Sequence, residues 1–282
     1  MDEKGLGKRL QEARQAAGLT QQQLCQKANL SFSTLTKIER GAIKSPSIFT
    51  VQAIAMALET GLDALMGMAA TPVAGRNLLQ TKSGVRFVYF DVNGCLVRFY
   101  QRAFARIAEE TGSTADTVET AHWHYTDDAC RGVMTLDDFN VAMAKRLGVE
   151  SIDWATFYLD TAEAVPGMPE LLAWAIERYK IGLLTNIMPG LLKGLQQHGK
   201  VPSLPYDAII NSSEVGTIKP EPKIFEIAER EAGVPPEQIL LVDDTQGNLK
   251  VAEARGWKVL WFDYARPEES VENIRAALEP AN

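Results

Sequence analysis

The sequence predicts two domains of different class, a small all-α domain over residues 1–68 and an α/β domain with a parallel sheet over 85–282, joined by a linker at 69–84. Three observations carry this reading. The chain has 282 residues, which suits two average domains better than one. Up to residue 68 apolar residues recur at helical spacing, and beyond 85 short apolar runs alternate with amphipathic stretches. Charge divides at the same place: eight Lys/Arg against six Asp/Glu in residues 1–68, and 21 against 30 in the remainder.

A hydrophobic content of 46% with 23% charged residues excludes disorder, collagen and coiled coil as descriptions of the whole. No apolar run approaches the ~18 residues of a membrane span, and MDEKGLGKRL leads into no apolar signal region. Cys25, Cys95 and Cys130 are widely spaced with no CxxC pair, which fits neither a disulfide framework nor a zinc site. A cytoplasmic protein without a membrane partner is expected. A net charge of −7 argues against a chain that coats nucleic acid along its whole length.

The first helix runs through GLGKRLQEARQAAG, with Leu6, Leu10, Ala13 and Ala17 forming one apolar stripe that Gly18 ends. Thr20 is an N-cap for QQQLCQKA, with Gln23 completing a capping box. Ser31 caps FSTLTKIER, whose Leu35 and Ile38 face inward and which Gly41 ends. Ser-Pro-Ser at 45–47 starts a fourth helix through IFTVQAIAMALE, and GLDALMG reads as a fifth. Two short helices joined by a tight turn, the second showing small polar and basic side chains, form a geometry that fits a DNA major groove.

LTQQQLCQKANLSFSTLTKIERG resembles the helix-turn-helix of the phage-repressor (XRE, Cro and C-one type) family over residues ~4–68. The resemblance implies that Gln21 contacts phosphate, that Phe32, Ser33, Thr36 and Lys37 face base edges, and that Arg40 and Lys44 hold the DNA backbone. Glu39 reads as structural, paired with Arg9 or Arg14. The low basic charge predicts few phosphate contacts per copy, so a homodimer on palindromic double-stranded DNA is expected.

AATPVAGRNLLQTKSG has no clear period and reads as linker. Strands follow at RFVYFD, YKIGLLTN, DAIINS, QILLVDD and WKVLWF, with helical ELLAWAIERY, PKIFEIAEREAG and NLKVAEARG between them. Ligands bind beyond the carboxyl ends of such strands, and those ends carry Asp91, Thr185-Asn186, Ser212-Ser213 and Asp243-Asp244, with Lys219 in a following loop. Three converging carboxylates repel one another unless a hard cation such as Mg²⁺ lies among them, and a lysine with a threonine hydroxyl suits a tetrahedral anion. An aspartate nucleophile with Mg²⁺ and lysine makes a phosphoryl-transfer site.

FDVNGCL, LLTN, KPEPKIF and ILLVDDTQGN, in this order, are similar to the four motifs of the haloacid dehalogenase (HAD) superfamily. The resemblance covers ~85–265 and implies a Rossmann-like α/β core with a small helical cap, here 99–165. It implies Asp91 as nucleophile and Mg²⁺ ligand, with Thr185, Asn186 and Lys219 on phosphate. Asp244 would ligate Mg²⁺ directly, Asp243 would support it, and the Asn93 carbonyl would face the metal.

Asn93 departs from the pattern, because most relatives have a general acid/base aspartate there. Loss of that group costs about 10²–10⁴ in rate. A slow phosphatase, a sensor of a phosphorylated metabolite and a dehalogenase all remain open, the Asp243-Asp244 pair weighing against the last. The leading reading is a DNA-binding regulator that senses a small phosphorylated metabolite. The alternative is a Mg²⁺-dependent phosphatase with an accessory DNA- or protein-binding domain. In the cap, Trp123 and Arg131 are the candidate substrate residues, and two histidines at i, i+2 in HWHY lack a third zinc ligand.

Overall fold

A computed structural model describes residues 3–43, 46–58, 78–98 and 100–281. The chain divides into two compact units, Met1–Gly75 and Arg76–Asn282. Lys44, GLDALMG and residues 69–77 of the expected linker lie outside the described residues. Among the described residues no helix is long and apolar enough to cross a membrane.

The first unit contains α1 (Glu3–Ala16), α2 (Gln21–Lys27), α3 (Phe32–Glu39) and α4 (Ile48–Ala57). Thr20 and Gln23 form the capping box of α2, Ser31 caps α3 and Ser47 caps α4, so side-chain oxygens fix three helix starts. Asn29 takes a left-handed φ of 50° in the turn from α2 to α3, a conformation that asparagine tolerates better than most residues. Leu10, Leu24, Leu35, Ile38, Val51 and Ile54 make the core. Gly7 lets α1 approach the end of α3: a Cβ there would lie 2.4 Å from the Ile38 carbonyl oxygen.

Glu39 ties these helices together. It accepts from Arg14 Nε at 2.7 Å and from Gln21 Nε2 at 2.6 Å. Arg14, one of the two expected arginine partners, is bonded to it, and this pair is almost wholly buried.

The second unit holds β1 (Phe87–Phe90), β2 (Lys180–Thr185), β3 (Ala208–Asn211), β4 (Ile239–Asp243) and β5 (Lys258–Trp261). All pair in parallel in the order β3-β2-β1-β4-β5. Side chains alternate between faces, so Val88 and Phe90 join one core cluster and Phe87 and Tyr89 the other. Residues 78–84, expected as linker, instead dock on this unit: Leu79 N–H donates to the Arg178 carbonyl at 2.7 Å and Lys82 N–H to the Glu279 carbonyl at 2.9 Å. Backbone pairing of this kind is invisible in a stretch without apolar period.

Between β1 and β2 lie the cap helices, α5 (Gln101–Thr111), α6 (Ala115–Cys130), α7 (Leu136–Leu147) and α8 (Trp154–Thr161). The core side is completed by α9 (Met168–Ile176), α10 (Leu191–Gln197), α11 (Ser212–Val215), α12 (Pro222–Ala232), α13 (Gln246–Ala254) and α14 (Pro267–Ala277). His122 of α6 is fully buried among Tyr100, Phe104, Phe139 and Trp154, with ring centroids 4.3–5.5 Å away. Neither ring nitrogen has a hydrogen-bond partner among the described residues, and burial pulls the imidazole down to about 3.

Two stability predictions follow from these buried polar groups. Glu39→Ala strands the Arg14 charge and lowers the stability of the helical unit by about 3 kcal/mol, read by urea unfolding of the full chain. At His122 the unfolded chain binds a proton that the folded one refuses between pH 6.5 and about 3, so stability is lost as pH falls through that window. His122→Leu removes both this loss and an unsatisfied polar group. It is expected to stabilise the protein by about 1 kcal/mol near neutrality, by a margin that widens below pH 6.5 in thermal unfolding. A margin independent of pH would contradict the assignment.

Candidate functional site

Strand register builds the carboxyl edge. Phe90 pairs with Leu183 and Val242, so Asp91 stands level with Leu184 and Asp243, and Thr185 lies one residue beyond. Lys219, from the loop before α12, inserts its ammonium 2.9 Å from Asp91 Oδ1 and 2.6 Å from Asp243 Oδ2. Burial pulls this ammonium down, but Asp243 and Asp91 outweigh it and hold the group above its ordinary value. Asp91 is pushed up to about 7, by burial first and then by Asp243 and Asp244, against the opposing pull of Lys219.

Asp243 has no exposed surface. Its Oδ1 accepts from Thr245 N–H at 2.8 Å and Asn248 Nδ2 at 3.0 Å, and its Oδ2 is taken by Lys219. Its oxygens are bonded inside the fold, so Asp243 holds Lys219 and stands behind Asp244. Asp91, Cys95 and Asp244 instead offer ligand atoms within 4.8 Å of one another. Nothing in the motif's spacing pointed to Cys95. A hard divalent cation suits the two carboxylates, and burial keeps the Cys95 thiol protonated. Asp91, Asp243 and Asp244 against Lys219 carry a formal charge of −2, the complement of such an ion. Gly94, at φ 93°, permits the approach: a Cβ there would lie 2.1 Å from Asp244 Oδ2.

Thr185 Oγ1 is buried without a hydrogen-bond partner among the described residues, an orphaned hydroxyl beside Lys219's loop that a tetrahedral anion would satisfy. The Asn186 side chain is used within the fold. Its Oδ1 accepts from Lys219 N–H and its Nδ2 donates to the Lys219 carbonyl, both at 2.8 Å, so it holds the lysine's backbone. Ser212 is likewise structural, donating to the Cys130 carbonyl at 2.6 Å and accepting from Ile187 N–H.

Asn93 is held at both ends of its amide. Oδ1 accepts from the Tyr158 hydroxyl at 2.5 Å, and Nδ2 donates to the Asn186 carbonyl at 3.2 Å. Tyr158, on α8 of the cap, is fully buried, and sequence reading missed it because 65 residues separate the partners. Asp91, Asn93, Asn186, Lys219 and Asp244 form the floor of a cavity of about 150 Å³. Trp123 lines its opposite wall. Arg131 does not: it bonds Glu221 through Nη2 at 2.7 Å and Nε at 3.1 Å, clamping α6 to the loop that carries Lys219.

On the helical unit, Phe32, Ser33, Lys37 and Arg40 are exposed along α3 and at its end, while Thr36 is half-buried. Gln21, which opens α2, donates one amide hydrogen to Glu39 at 2.6 Å.

A haloacid dehalogenase-like hydrolase profile matches residues 85–256, more than half of the chain. The chain belongs to this family. A helix-turn-helix profile matches residues 10–65, so an XRE-type helix-turn-helix precedes the HAD-like hydrolase unit. Phosphoserine phosphatase of Thermus thermophilus is 33% identical over 116 residues, 37% of this chain and 44% of that protein. Acyl-CoA dehydrogenase family member 10 of Mus musculus is 33% identical over 73 residues, 26% of this chain and 7% of that protein. The chain thus spans less than half the length of these curated relatives. Among solved structures, a HAD family enzyme of Bacteroides thetaiotaomicron in complex with magnesium and inorganic phosphate aligns with TM-score 0.51 at 20% identity, over 64% of this chain and 96% of that one. L-2-haloacid dehalogenase of Xanthobacter autotrophicus aligns with TM-score 0.51 at 20% identity, over 70% and 85%. At such identity these two show the fold.

The seat of Asn93 makes a prediction of its own. Tyr158→Phe leaves a buried amide oxygen without its donor and costs about 1–3 kcal/mol in thermal unfolding. Asn93→Asp keeps both hydrogen bonds only while the introduced carboxyl holds its proton. Its stability relative to wild type therefore falls as pH rises above the ordinary carboxylate range, and a difference that does not change with pH would contradict this seat.

Proposed function

We propose that this chain is a cytoplasmic, homodimeric, DNA-binding transcriptional regulator whose HAD-like unit binds Mg²⁺ and a small phosphorylated metabolite with little turnover. The observation that carries the reading is the Asn93 amide, seated between Tyr158 and Asn186 in a site otherwise furnished for phosphate. In this reading Asp91 is the nucleophile, and Thr185 and Lys219 bind the phosphoryl oxygens. Asp91 and Asp244 hold Mg²⁺, which supplies neutralisation of phosphoryl charge. Attack by Asp91 on phosphorus expels an alkoxide that needs a proton. An amide cannot give one at neutral pH, so only good leaving groups depart readily.

The resemblance to structures with magnesium and phosphate and to a phosphoserine phosphatase supports the phosphate reading. Asp91 and Asp244, whose oxygens approach one another as cation ligands would, weigh against dehalogenation, which has no use for a cation. On the helical unit, the exposed set Phe32, Ser33, Lys37 and Arg40 supports major-groove binding, with Thr36 at its rim and Lys44 beyond α3. So few basic groups give modest affinity per copy, and two copies on a palindrome make up the difference.

The alternative, a Mg²⁺-dependent small-molecule phosphatase with an accessory domain, draws on the same intact Asp91–Lys219–Asp244 set. Two assays on the full chain separate them. Selection from a random duplex library followed by gel shift is expected to give a salt-sensitive, sequence-specific complex, and Arg40→Ala should reduce the salt slope by about 1. On an aryl phosphate with Mg²⁺, wild type should be slow and Asn93→Asp about 10²–10⁴ faster. Failure to select any duplex, with wild-type turnover equal to that of Asn93→Asp, would overturn the regulator in favour of the phosphatase.

A further inference from the structure

On its cap side the cavity is lined by one face of a single helix. Trp123, Thr126, Asp127 and Cys130 of α6 stand at i, i+3, i+4 and i+7 and all line the cavity, with Tyr100 beside them. Two of these are chemically spent or silent: the Thr126 hydroxyl donates to the His122 carbonyl at 2.7 Å, and burial pushes the Cys130 thiol up to about 12. What remains is one carboxylate and two aromatic rings, Tyr100 and Trp123, with centroids 5.9 Å apart. The Asp127 side chain is 71% exposed, and its nearest cation, Arg131, comes only to 3.8 Å. Arg131 makes its short contacts to Glu221, at 2.7 and 3.1 Å. Among the α6 residues that line the cavity Asp127 is the charged one, so this side of the cavity is negative.

A second anionic group on a ligand would face that negative wall, and a neutral group would leave the carboxylate unused. A cation meets both the carboxylate and the π faces. The cavity, about 150 Å³ in volume, has room for one phosphate and a short chain. We infer that the HAD-like unit takes the phosphate monoester of a small amino alcohol, its phosphate at Asp91 and Lys219 and its ammonium against Asp127, Trp123 and Tyr100. The inference rests on the phosphate reading above and adds the charge of the other end.

The test uses the full chain with Mg²⁺ and four probes in thermal-shift titrations: inorganic phosphate, ethyl phosphate, O-phosphoethanolamine and phosphoglycolate. If inorganic phosphate gives no shift, the phosphate reading fails and this inference fails with it. If phosphate binds, O-phosphoethanolamine is expected to bind about tenfold tighter than ethyl phosphate, an exposed charge pair and a cation–π contact acting together. Phosphoglycolate should be weakest. Asp127→Asn should shrink the amine-to-neutral ratio to about twofold, and Trp123→Leu should lower it in part. Equal affinity for the amine and neutral esters would overturn the inference and leave the phosphate reading standing. So would a preference for phosphoglycolate, or a ratio that Asp127→Asn leaves unchanged.

Discussion

A lysine ammonium with almost no exposed surface lies between two buried aspartates, and the arrangement of the whole carboxyl edge follows from it. Lys219 joins Asp91 at the end of β1 to Asp243 at the end of β4, and Asn186 after β2 holds its backbone on both sides. Burying three charges costs several kcal/mol per ion unless close contacts and further hydrogen bonds offset it. Thr245 and Asn248 supply those bonds to Asp243. Asp243 is thereby fixed as an internal counter-ion, and the next residue, Asp244, is left to face the cavity with Asp91.

The same economy of partners extends to Asn93. An ionised carboxylate at this position would have one oxygen against the Tyr158 hydroxyl and the other against the Asn186 carbonyl, two acceptors face to face. The amide has a donor where the carbonyl stands and an acceptor where the hydroxyl stands. Its surroundings therefore match asparagine in a way that a general acid, which must change its protonation during a reaction, does not require.

Local signals were legible in the sequence. Thr20, Ser31 and Ser47 mark helix starts because capping is a contact between neighbours in the chain, and Asp91, Thr185 and Asp243 mark strand ends because apolar runs stop there. The partners that decide what these residues do were not legible. Arg131 meets Glu221 across 90 residues, Tyr158 meets Asn93 across 65, and Gln21 meets Glu39 across 18. No periodicity connects such pairs. Arg131 reads as a ligand contact because it is polar and borders a site, yet it makes its short bonds inside the fold. The α6 stripe lies between these cases: its spacing is regular, but only the packing of the cap shows which face meets the cavity.

Helix α6 also links binding to structure. Its last turn holds Asp127 on the cavity, Cys130, whose carbonyl accepts from Ser212, and, just past its end, Arg131 on Glu221. Arg131 comes to 3.8 Å of Asp127, while its short bonds to Glu221 clamp cap to core. A ligand changes a protein's arrangement only through differential affinity for its states. At this helix end the carboxylate that lines the cavity and the guanidinium that fastens the cap stand four residues apart on one helical face.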